Sequence, residues 1–94
     1  MNVVFTAAAI DDLENIAAAL ANDYPEVAPI VQRRFDLVLA RIARWPESAR
    51  KVVGLPEVRV APLVRFPYNI FYRVTDRVEI LHISHASRRA PWEH

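Results

Sequence analysis

The chain has 94 residues, a formal net charge of +1, 53% apolar side chains, seven prolines, one glycine and no cysteine. That length suits one small domain, residues 1–94, around one core, and the apolar fraction argues against a disordered chain. Without cysteine, disulfides and thiolate metal sites are excluded.

The opening, MNVVFTAAAIDD, has neither a basic segment nor a long apolar run, so no signal peptide is expected. No stretch of about 18 uncharged apolar residues follows, so no membrane span is expected, and the cytoplasm is the expected compartment. Residues 2–5 predict a short strand. Thr6 is a candidate N-cap, and Asp11, Asp12 and Glu14 are expected early in the helix, where its dipole favours negative charge. Ile10, Leu13, Ala17, Leu20 and Tyr24 alternate spacings of three and four and mark the expected buried face. Pro25 ends this helix or begins the next.

Val31, Phe35, Val38, Ile42 and Trp45 step in the same way along a second helix. Pro29 fits only its first turn, and Pro46 stops it. From Val52 the texture changes. Gly54 and Pro56 predict a loop, and the β-branched run after it a strand from about residue 57 to 62. Arg65-Phe66-Pro67 predicts a turn or bulge. YNIFYRV, residues 68–74, predicts a strand, Thr75-Asp76 a turn, and RVEILHIS, residues 77–84, an interior strand. The order β-α-α-β-β-β predicts an α+β fold, a mostly antiparallel sheet with a helical hairpin across one face.

No phosphate loop, GxGxxG, HExxH or nucleophile elbow is present. His82 and His85 lie three apart on a strand, which points them to opposite faces and disfavours a shared metal. What remains is a set of arginines. Residues 1–47 carry 4 arginines against 7 acids, whereas residues 48–94 carry 8 basic residues against 4 acids. Arg59, Arg65, Arg73, Arg77, Arg88 and Arg89 would give the sheet and tail a cationic surface suited to an acidic partner. His85 is a candidate acid–base group or a strand cap. Trp92 is a candidate stacking or interface residue, or a cover for the core.

Two segments carry a resemblance. FTAAAIDDLENIAAALA is similar to the helical opening of the RelE/ParE toxins, and YNIFYRVTDRVEILHISHASRR is similar to that family's closing hairpin with its His-x-x-Arg ending. The resemblance implies the toxin of a type II toxin–antitoxin pair, whose antitoxin folds a disordered segment onto the toxin and itself contacts operator DNA. It leaves two targets open. RelE-like members cut mRNA on the ribosome, and Arg65 and Arg88, with His85 or His94 as acid–base group, would be the candidates here. ParE-like members poison DNA gyrase without catalysis. The lysine-rich segment and terminal tyrosine of many RelE-like toxins are missing, so the ParE-like alternative is favoured, with Arg59, Arg65, Arg73, Arg88, Arg89 and Trp92 as candidate target-binding residues. A non-toxic member acting only in antitoxin binding and operator repression is the third alternative. No cofactor is expected.

Overall fold

The computed structural model describes residues 1–86. Its elements run β1 (Val3–Phe5), α1 (Ala7–Asp23), α2 (Ala28–Arg44), β2 (Arg50–Val52), β3 (Leu55–Pro62), β4 (Tyr68–Val74) and β5 (Val78–His85). The strands form one sheet in the order β1-β5-β4-β3-β2. β1 runs parallel to β5 and the other pairs are antiparallel, so the α+β expectation holds. The predicted loop around Gly54 and Pro56 is instead a hairpin. Gly54 takes φ +85° in its turn, a region that costs other residues energy, and the short β2 pairs with β3 on the sheet edge. Pro56 fits inside β3 because it lies near the strand's start.

Thr6 opens α1 as its residue type suggests. Its Oγ1 accepts the Ala9 N–H at 3.1 Å and lies 3.0 Å from the carbonyl oxygens of both Ile80 and Leu81, stitching the helix start to β5. The expectation for the acids fails: no acidic residue lies in the first turn of α1. Asp12 is used elsewhere. Its Oδ2 accepts the backbone N–H of Ile83 at 3.0 Å and lies 3.2 Å from His82 Nδ1. β1 stops at Phe5, so it reaches β5 only as far as Ile80. Asp12 satisfies an edge N–H that the short β1 leaves bare. Asp12→Ala should lower unfolding free energy by about 1–2 kcal/mol, the cost of orphaning a partly shielded donor, measurable by urea denaturation.

The buried stripe of α1 also differs from expectation. Ala9 is fully buried, and Leu13, Ile16 and Leu20 pack on the core, whereas Ile10 and Tyr24 are exposed. The helix is so rich in alanine that its apolar arc is wider than the sheet can cover, and periodicity alone cannot say which part wins. In α2 the expected face holds for Val31, Phe35, Val38 and Ile42 but not for Trp45, which is 55% exposed. Pro29 lies in the first turn, and the helix ends before Pro46.

The main core joins these helix residues to Leu63, Ile70, Tyr72, Val78, Ile80 and Ile83. A smaller apolar cluster of Val58, Val60 and Phe71 lies on the other face of the sheet. In β5, Phe71 pairs with His82 but Tyr72 with Ile80, which leaves Leu81 as the extra residue of a bulge. That bulge keeps Ile80 and Ile83, three apart, in the same core.

Candidate functional site

α1 packs mainly on β5, and an apolar groove of about 450 Å³ stays open between it and α2. Leu13, Ile16, Ala17, Leu20 and Ala21 form one wall, and Val31, Gln32 and Phe35 the other. Leu63, Tyr68 and Ile83 form the floor. Ala17 and Ala21 are exposed, and their small side chains are what hold the groove open. Gln32 donates from Nε2 to Asp36 Oδ1 at 3.0 Å, a polar contact along the rim. Such a surface can bury apolar side chains of a partner, but it offers little acid–base chemistry.

The arginines expected to form one cationic face are not equivalent. The Arg59 guanidinium donates to the carbonyl oxygens of Glu47, at 3.0 Å, and Ala49, at 2.7 Å. Opposite Arg59 in the sheet, the fully buried Tyr72 donates its hydroxyl to Pro46 O at 2.7 Å. The pair clamps the α2–β2 connection onto the sheet. Arg73 and Arg77 bracket the carboxylate of Glu79, at 2.5 and 3.8 Å, beside the β4–β5 turn. Arg65 makes no hydrogen bond or ion pair among the described residues, and its backbone has φ +79°. Strained backbone at a residue with a free cationic side chain is a pointer to use.

His85 stands edge-on to Tyr68, ring centroids 5.5 Å apart, and lines a separate hollow with Asp12, Asn15 and Ser84. Arg88, Arg89, Trp92 and His94 lie outside the described residues. Among the described residues, no group of three His, Cys, Asp or Glu side chains is placed to hold a metal, and no helix is long and apolar enough to cross a membrane.

The groove was the part least visible in the sequence. Its one signal was that α1 carries two overlapping apolar stripes, Ala9-Leu13-Ile16-Leu20 and Ile10-Leu13-Ala17-Leu20-Tyr24. A helix with more apolar arc than one sheet can bury has a second surface to cover.

Residues 3–90 match the family described as ParE toxin of type II toxin-antitoxin system, parDE. The chain belongs to this family. A relative from Sinorhizobium fredii, named "Putative toxin Y4kP", is 32% identical over 87 residues, covering 93% of this chain and 90% of that protein. A solved structure described as "Chromosomal ParDE TA system from P. aeruginosa" superposes with a TM-score of 0.79 over 93% of this chain and 97% of that one. At 23% identity, that likeness speaks for the fold. The ParE assignment makes the chain the toxin component of a type II toxin–antitoxin system, and the family implies an antitoxin partner.

Proposed function

We propose that this ParE-family toxin stops growth by binding and poisoning DNA gyrase, and that its antitoxin neutralises it by laying an apolar segment into the groove between α1 and α2. The observation that carries this reading is the groove itself. It is open, lined by aliphatic and aromatic side chains, and sized for the apolar face of a folding peptide. Binding, not bond-breaking, is what such a surface does.

The ribosome-dependent nuclease reading needs an acid–base group beside an anion-holding arginine. Arg59 is committed to backbone carbonyls and Arg73 to Glu79. These contacts occupy Arg59 and Arg73 but leave the nuclease candidate Arg65 free among the described residues, so gyrase is favoured over mRNA on the missing lysine-rich segment and terminal tyrosine. Arg59 and Arg73 thereby serve the fold before any partner, while Arg65 stays a candidate contact.

Induction without antitoxin should produce gyrase–DNA cleavage complexes and an SOS response while mRNA stays intact by primer extension. A-site cuts in mRNA with normal supercoiling would sink the gyrase reading and revive the nuclease one. Normal growth would leave only antitoxin binding and operator repression.

Arg65→Gly separates backbone strain from side-chain use. Glycine accepts φ +79°, so the variant should fold as well as the parent or up to about 1 kcal/mol better. If the guanidinium contacts the target, growth arrest should weaken all the same. Thermal melts and a dilution series of induced cells read both.

A further inference from the structure

We infer that the C-terminal end of α2 is a second docking surface, separate from the groove, built for an acidic protein surface that carries an apolar anchor. The inference rests on the toxin reading above and names the face that meets the target.

Trp45 is 55% exposed, with the Arg44 guanidinium 4.7 Å above its ring. Arg41 and Arg50 line the hollow beside it, whose aliphatic part includes Val38 and the 57% exposed Val64. Arg41, Arg44 and Arg50 have no ion pair among the described residues. Glu47, between Trp45 and Arg50 in the chain, pairs with none of them.

Tryptophan and arginine are the residue types that dominate binding energy at protein interfaces, especially around an apolar centre. Unpaired cations around an apolar hollow call for carboxylates flanking an apolar side chain. A nucleic acid fits less well. The charges cluster at one end and form no track, the hollow is aliphatic, and Arg44 already covers a face of the indole that a base would need.

The second hollow shares no lining residue with the groove. α2 lends Val31, Gln32 and Phe35 to the groove and Val38, Arg41 and Trp45 to the other surface. A substitution at the second surface should therefore spare the antitoxin.

The test compares the full-length chain with Arg41→Glu/Arg44→Glu and with Arg33→Glu, a charge reversal on the same helix about three turns from Arg44. All three sites are exposed, and thermal melts check folding. Growth arrest on induction without antitoxin is the first readout, supercoiling by reconstituted gyrase the second, and antitoxin binding by calorimetry the third. The double variant should need about tenfold more protein for half-inhibition, the loss expected for reversed charges at an interface. Antitoxin affinity should stay within about twofold, and Arg33→Glu should behave as the parent.

Undiminished toxicity in the double variant would overturn the inference, and so would loss of antitoxin binding. A matching loss of affinity for a fluorescein-labelled DNA duplex, with gyrase absent, would reassign the surface to nucleic acid and also overturn it. If the parent arrests growth but leaves gyrase untouched, the gyrase reading falls. The growth assay then still decides the surface. A parent that does neither overturns both together.

Discussion

Ala17→Glu should weaken antitoxin binding about a hundredfold while leaving the toxin folded, because it places a charge on an exposed but apolar groove wall. Alanine at this site is solvent-facing in the free toxin and lies outside the buried core. The helix tolerates glutamate well. In the complex the same side chain would lie against a partner's apolar face, where a carboxylate must be desolvated without a cation to meet it. Ala21→Glu, one turn further on the same wall, should act alike. Calorimetry with the purified antitoxin measures the effect, and a matching melt shows that the fold survives. In cells, either variant should resist rescue by the antitoxin while staying toxic alone. Unchanged affinity in both would mean that the antitoxin lies elsewhere.

The second large effect concerns stability. Tyr72→Ala should cost about 4 kcal/mol, the range seen when a buried aromatic is truncated and a cavity left behind. Tyr72 is wholly buried, centrally placed on β4, and tied by its hydroxyl to Pro46 O. Single domains hold only about 5–15 kcal/mol in total, so the antitoxin-free toxin would be close to unfolding. Tyr72→Phe keeps the ring and removes the hydroxyl, and should cost about 1–2 kcal/mol through the orphaned carbonyl. Urea titrations on all three chains separate the cavity from the hydrogen bond.

The same phenol sets an alkaline limit. Burial pushes Tyr72 above its ordinary value of 10.0, with the Arg59 guanidinium pulling the other way. The unfolded phenol would ionise near its ordinary value while the folded one keeps its proton. Over that interval the native state binds more protons, so stability falls as pH rises past about 10 and the loss levels off above the folded value. Tyr72→Phe should remove this contribution, and melts in alkaline buffers would show a shallower decline.

Much of the element order was readable from local chemistry. Thr6, Pro29 and Pro46 mark helix boundaries through groups their backbones or side chains supply or lack, and those marks agree with the observed ends. β4 and β5 announce themselves through β-branched and aromatic runs, and their closing hairpin pointed to the family. β2 did not, because three residues, two of them charged and on an edge, carry no pattern that separates a strand from a loop.

Apart from β2, the sequence by itself determined which segments are helix or strand and which family they compose, because those depend on neighbours in the chain. Tertiary structure alone decided what the side chains do there. Asp12 looked like a dipole partner and became the acceptor for an N–H 71 residues away. Arg59 looked like part of a cationic face and became a clamp on the loop after α2. Trp45 and Ala17 lay on apparent core stripes yet stand at open surfaces, since packing against the sheet selects one arc of each helix and leaves the rest for partners. Such assignments turn on residues far apart in sequence meeting at angstrom distances, which no local pattern encodes.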